Sequence, residues 1–257
     1  MIWILSALLV VGGLPVGWAA AHLVHRYTED PEAEVSVLGP ATCDHCHREL
    51  TLRDTAPPRW WITAKGRCPH CAERLPFTWL SVQLSVPALW LATLAAFGLR
   101  WSLIPYLWLV PVLVVAATID IRLLLIPKRI VWVGFGVGVA LIALTTLPMG
   151  NGDKFVEALL GSALYFGFLF ITHMISPAGM GFGDVRLAAL LGLYLGRLAL
   201  MMTAVGLFIA CTLGVAFGLA VRRASGGQRH FPFGPGLAAG TLVAIWFWSP
   251  ILSRLAP

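Results

Sequence analysis

Long apolar runs recur along the chain, at Met1–Leu23 and then at 79–99, 102–119, 130–148, 156–176, 185–196, 199–221 and 236–253. A run of about 18 or more apolar residues can cross roughly 30 Å of hydrocarbon as a helix. In lipid every backbone N–H and C=O must be satisfied inside its own element, so runs of this length fold as helices. Charged residues make up only 12% of the chain, against about a quarter in soluble domains. The expectation is an all-α polytopic membrane protein of about eight transmembrane helices. The 185–196 run spans only about 18 Å as a helix, so it is tilted or sunk inside the bundle. The 11 tryptophans suit bilayer interfaces. The net charge of +6 does not point to nucleic acid, because no basic patch gathers on a folded surface.

The order of charges organises the rest. Met1–Leu23 lacks a basic start and meets its first cation at Arg26, which reads as a retained helix with its C-terminal end inside rather than a signal peptide. Residues 24–78 hold eight of the twelve acids, seven of the eighteen bases and four of the five cysteines. They read as a small extramembrane domain, followed by a membrane bundle over 79–257. With that loop inside, its bases are joined there by Arg122, Lys128, Arg129, Arg186, Arg222, Arg223 and Arg229, while Arg100, Lys154, Arg197 and Arg254 fall outside. This bias follows the positive-inside rule. The acid run Glu29, Asp30, Glu32 and Glu34 reads as a solvated linker.

Cys43-Asp-His-Cys46 and Cys68-Pro-His-Cys71 form two C-x-x-C knuckles separated by 21 residues. Each places two thiolates about one tetrahedral ion, and the loop between them closes the site as in a zinc ribbon. A cytoplasmic loop lies in the reducing compartment, where disulfides do not persist. The expectation is a structural zinc site made by Cys43, Cys46, Cys68 and Cys71, with iron as the other metal that takes four thiolates. His45, His47 and His70 stand beside a shell that is already full.

Only four acids lie outside the loop: Asp120, Asp153, Glu157 and Asp184. Asp153 and Glu157 flank an outer turn. Asp120 ends an apolar helix and Asp184 opens one, both at the inner ends, so the same depth is available to each. Two carboxylates about 4 Å apart at an effective dielectric near 20 repel by about 4 kcal/mol, enough to keep one proton shared between them. Such a pair can activate water and protonate a scissile carbonyl. Gly181 and Gly183 lack Cβ, so a substrate backbone can approach beside Asp184. The plainer alternative makes Asp184 a helix N-cap and the glycines a loop.

At these residues the sequence resembles the type IV prepilin peptidases, a family of intramembrane aspartyl proteases. Gly181-Phe-Gly-Asp184 matches the family's G-x-G-D motif, within Gly179-Met-Gly-Phe-Gly-Asp-Val-Arg-Leu187. Ile119-Asp-Ile-Arg-Leu-Leu-Leu-Ile-Pro127 is similar to the stretch around its first aspartate, and Phe231-Pro-Phe-Gly-Pro235 to the pattern before its last helix. The two knuckles, with Trp61 and Gly66-Arg67-Cys68, resemble its cytoplasmic insert. The resemblance implies that Asp120 and Asp184 are the catalytic pair. It also implies a bacterial cytoplasmic membrane, and as substrates the precursors of type IV pilins or type II secretion pseudopilins, cut after a basic leader. Bifunctional members methylate the new N-terminus with S-adenosylmethionine.

Three positions depart from the family pattern. Lys128 follows Pro127 where an acid is usual, Ala21 stands where an Asn is usual, and Leu75-Pro-Phe-Thr-Trp79 lacks the final Glu. They bear on the methyltransferase role, so the resemblance implies proteolysis more firmly than methylation. A transporter or proton relay, and an inactive assembly homologue, are the alternatives. The first of these predicts polar residues along the bundle, where the spans offer little beyond His173, Thr145, Thr146 and Thr172.

Overall fold

The structure, a computed structural model, describes residues 2–29, 41–51, 54–56, 61, 65–177, 180–224 and 232–255. It forms two compact units, Met1–Ala92 and Thr93–Pro257. Helix α1 (Ile2–Glu29) opens the first, followed by a short antiparallel pair, β1 (Ala41–Thr42) and β2 (Glu49–Leu50), and by α2 (Phe77–Phe97), whose last residues belong to the second. Within the first unit α1 and α2 approach closely at Gly13 and Gly17. A Cβ at Gly13 would sit 2.9 Å from Pro87 Cβ, and one at Gly17 would strike the Gln83 carbonyl.

The second unit continues with α3 (Leu103–Leu123), α4 (Lys128–Thr146), a 3-10 turn at Leu147–Met149, α5 (Gly152–Ile175), α6 (Phe182–Leu198), α7 (Leu200–Ala224), α8 (Gly234–Trp246) and α9 (Trp248–Leu255). The apolar runs match these helices one to one, the last run covering α8 and α9 together. Among the described residues six helices are long and apolar enough to cross a membrane, and α8 with α9, bent by 67°, makes a seventh if counted as one span. At 17 residues α6 stays outside that set, and it is sunk inside the bundle, with twelve of its residues buried between Asp184 and Arg197.

Small residues set this packing. Without a hydrophobic drive between helices in lipid, close backbone approach supplies the contact. Gly192 and Gly196, four apart on α6, lie directly against the backbone of α5 at Gly161 and Glu157. Gly236 and Gly240 on α8 lie in the same way against Gly214 and Ala210 on α7. Tyr106 of α3 donates its hydroxyl to the Tyr194 carbonyl towards the C-terminal end of α6 at 3.1 Å. Large apolar side chains such as Val156, Leu164 and Ile171 on α5 face outward, where lipid covers them.

Candidate active site

Helix α3 ends one turn after Asp120. Leu124 takes a left-handed conformation (φ 53°) and returns its N–H to the Asp120 carbonyl at 2.9 Å. Pro127, which has no N–H to give, then caps α4 from outside. This reversal buries Ile126 and leaves the Asp120 side chain facing the start of α8, where the Gly234 N–H donates to Oδ2 at 2.9 Å. Asp120 is 5% exposed. A Cβ at Gly234 would lie 2.8 Å from that same Oδ2 and 3.1 Å from Ile126 Cδ1.

Asp184 is the third residue of α6 and 7% exposed. The N-cap is Gly181 rather than Asp184, and it contributes no side chain. The loop before it is tied to α5 by His173, whose Nδ1–H donates to the Met180 carbonyl at 2.8 Å. One oxygen of Asp184, Oδ2, turns towards Gly181, lying 3.6 Å from where a Cβ would stand there. The other, Oδ1, is buried and meets no hydrogen-bond donor among the described residues.

The two acids are brought together across Ile126. Its side chain lies under Gly234, the residue that holds Asp120, and under Gly183, the neighbour of Asp184, where a Cβ would come within 3.0 Å of Ile126 Cβ. Gly183 therefore has a packing reason to be glycine, while Gly181 is exposed and has room in front of it. Gly179 and Phe231 lie outside the described residues.

In the first unit the two knuckles fold alike. Cys43 N–H donates to the Arg48 carbonyl and His47 N–H to Cys43, and Cys68 N–H to Glu73 and Ala72 N–H to Cys68, at 2.8–3.0 Å. The residue after each second cysteine, His47 (φ 53°) and Ala72 (φ 58°), is left-handed in both. Thr42 pairs with Glu49 in the first hairpin, and Arg67 with Arg74 at the same register in the second. The four sulfurs all lie within 4.8 Å of one another, with Cys43–Cys71 at 3.8 Å and Cys46–Cys68 at 3.9 Å. Ligands at about 2.3 Å on a tetrahedral metal stand about 3.8 Å apart, so this donor set fits one ion. Of the acid run, Glu29 accepts the Thr42 N–H at 3.1 Å, and Asp30, Glu32 and Glu34 lie outside the described residues.

Comparison with known proteins gives two family matches: the type IV leader peptidase family over residues 107–219, and the bacterial peptidase A24 N-terminal domain over 11–97. The chain is 30% identical to the prepilin leader peptidase/N-methyltransferase of Bacillus subtilis, covering 85% of this chain and 86% of that one. This chain belongs to the type IV leader peptidase family. Other relatives are the Aeromonas hydrophila prepilin leader peptidase/N-methyltransferase, 29% identical over 89% and 80% of the two chains, and the type 4 prepilin-like proteins leader peptide-processing enzyme of Escherichia coli O78:H11, 27% identical over 94% of each. No solved structure matches.

As a member of this family the chain is a peptidase and a multi-pass membrane protein, and both aspartates fall inside the leader-peptidase match. Its first unit also holds a buried polar cluster that the sequence reading passed over. His22 Nε2 meets Thr55 Oγ1 at 2.7 Å, Trp18 Nε1 donates to the same hydroxyl at 3.0 Å, and His25 Nε2 meets Thr78 Oγ1 at 3.3 Å. Trp79 is fully buried, stacked on His25 at 4.2 Å and edge-on to His22 at 4.8 Å. The signal was present, since His22 and His25 sit three apart on one face of an apolar helix, where a polar side chain needs a partner. Trp79 is the residue that stands where the family pattern has Glu, and Ala21, which stands where the pattern has Asn, is also fully buried.

Proposed function

We propose that this chain is an aspartyl endopeptidase that removes the basic leader from type IV prepilins or type II secretion pseudopilins at the cytoplasmic face of the membrane. The observation that carries the reading is a pair of buried carboxylates held on either side of Ile126, one of them with an oxygen that no described donor occupies. Burying a carboxylate oxygen without a partner costs free energy, and a reacting water or carbonyl supplies that partner. Of the pair, the ionised acid takes a proton from water while the protonated one hydrogen-bonds the scissile carbonyl oxygen. The water oxygen adds to the carbonyl carbon, and the C–N bond then breaks as the amine gains a proton from the pair. The two acids titrate as one unit, so neither holds a fixed role. Gly181, with open space in front of it, is where the extended substrate backbone runs past Asp184. The ends of helices are where irregular, unwound backbone meets water at membrane depth.

Cys43, Cys46, Cys68 and Cys71 would hold zinc. With four thiolates its shell is closed, so its part is to fasten the loop rather than to act on substrate. For N-methylation, which the B. subtilis relative carries in its name, the fit is poorer. The methyl donor would be S-adenosylmethionine, and in the N-terminal half an aromatic ring packed on two histidines replaces the family's acid. We infer that the new N-terminus of the processed pilin stays largely unmethylated, which a missing methyl increment in its mass would support and a quantitative one would overturn. The central test is cleavage of a pilin precursor by membranes containing this chain. Asp120→Asn and Asp184→Asn are each expected to abolish it at unchanged protein level, and full cleavage by either variant removes that residue from the active site.

A further inference from the structure

A cavity of about 450 Å³ lies at the end of the second unit away from the aspartates. It opens where the turn before α3, the connection from α4 to α5 and the C-terminal end of α6 meet. Three of the four bases that the charge pattern sends outward, Arg100, Lys154 and Arg197, line it together. Lys154 is matched by Glu157 at 2.9 Å. Arg197 is not matched in this way. It is 9% exposed, gives one N–H to Thr145 Oγ1 at 3.3 Å, lies 5.7 Å from the centre of the Tyr106 ring, and has a buried Nε with no partner among the described residues. A guanidinium buried without a carboxylate is costly unless an anion completes it.

The backbone adds donors. Ser102 and Asn151, the N-cap positions of α3 and α5, both line the cavity, and neither makes a side-chain cap bond. At α3 the Leu103 and Ile104 N–H groups are already given to the Arg100 and Trp101 carbonyls and Pro105 has none, so only the start of α5 adds a helix end of the kind that favours anions. The opposing charge is the carbonyl end of α4, where the Thr145 and Thr146 hydroxyls are turned back onto their own helix. Around the mouth, Trp101 and Met149 are 68% and 53% exposed, as suits groups at a bilayer interface. The planar fork of Arg matches the oxygens of a phosphate two at a time.

We propose that this cavity binds a phosphate-bearing anion, with Arg197 and Arg100 as its ligands, supplied by an anionic phospholipid headgroup or by free phosphate. The site is independent of the peptidase reading. The test uses the purified full chain in neutral detergent, with short-chain phosphatidylglycerol and inorganic phosphate as separate probes, followed by native mass spectrometry and thermal unfolding. Saturable binding of either probe, weakened about tenfold or more (about 1.4 kcal/mol) in both Arg197→Gln and Arg100→Gln, is the expected result. Binding of phosphatidylglycerol alone identifies the lipid as the source, and equal protection by inorganic phosphate identifies the free anion. If Arg197→Gln does not fold, the exposed Arg100 decides through Arg100→Gln. Absence of binding by both probes, or binding that the foldable variants leave unchanged, overturns the proposal.

Discussion

Gly234→Ala tests how Asp120 is held without replacing a titratable group. The new methyl lies 2.8 Å from Asp120 Oδ2 and 3.1 Å from Ile126 Cδ1. Non-bonded carbons settle at about 3.5–4.0 Å, so the carboxylate and the Ile126 side chain must each give way by roughly half an ångström. The 2.9 Å bond from the Gly234 N–H is then stretched or lost. A hydrogen bond to a charged group contributes about 1.5–3 kcal/mol, and each 1.4 kcal/mol or so of barrier is tenfold in rate. Misplacing a reacting group by about 1 Å costs about a hundredfold. The expected outcome is a fall in kcat of roughly 10- to 100-fold, with KM nearly unchanged because no substrate contact is removed. The assay is precursor cleavage in membranes, normalised to folded enzyme by thermal unfolding. Wild-type turnover by this variant would mean that Asp120 does not depend on the α8 N-terminus, and the account of how the pair is held would fall.

Gly181→Ala meets only Asp184 Oδ2 at 3.6 Å and the Gly183 nitrogen at 3.9 Å, so the enzyme should fold normally while its KM for precursor rises several-fold; an unchanged KM removes Gly181 from the substrate path. Ala72→Gly relieves a left-handed alanine (φ 58°), which costs about 1–2 kcal/mol for a residue with a Cβ, and should raise the unfolding temperature by a few degrees, with a fall arguing against the strain. Cys43→Ser should lower the yield of folded protein while turnover per folded molecule stays near wild type, and elemental analysis should find one zinc per chain in the parent. A loss of turnover in well-folded protein would instead give the metal a part in catalysis.

Much of this was legible in the chain because lipid imposes one rule everywhere: apolar runs become helices, and their number and order came through. So did the four cysteines, since a pair of C-x-x-C turns has few other uses. The partners of the acids were not legible. Nothing about Gly234 or Ile126 in the sequence says that the one holds Asp120 and the other lies between it and the neighbour of Asp184, because that follows from tertiary packing of α3, α6 and α8. Position alone also left Asp184 readable as an N-cap, whereas the backbone gives that place to Gly181. Gly183 shows the same limit: its missing Cβ admits Ile126, a demand that a sequence motif states only as a letter. His22 and His25 were visible, but their partners were not, because Thr55 comes to them from the loop and Thr78 from the start of α2, approaches that no local pattern announces.

The sunken position of α6 has a consequence for how such a protein can vary. Its neighbour α5 presents Val156, Leu160, Leu164 and Ile171 to the acyl chains, where one oily residue substitutes for another at little cost. Between Asp184 and Arg197, α6 touches protein on nearly every side, and two of its glycines rest on another backbone. A saturating substitution library should therefore show tolerance on α5 that rises and falls with the helical repeat, and on α6 an almost unbroken row of intolerant sites. The segment that presents one acid is thereby shielded from drift, and the history of the bundle is written on its lipid-facing coat.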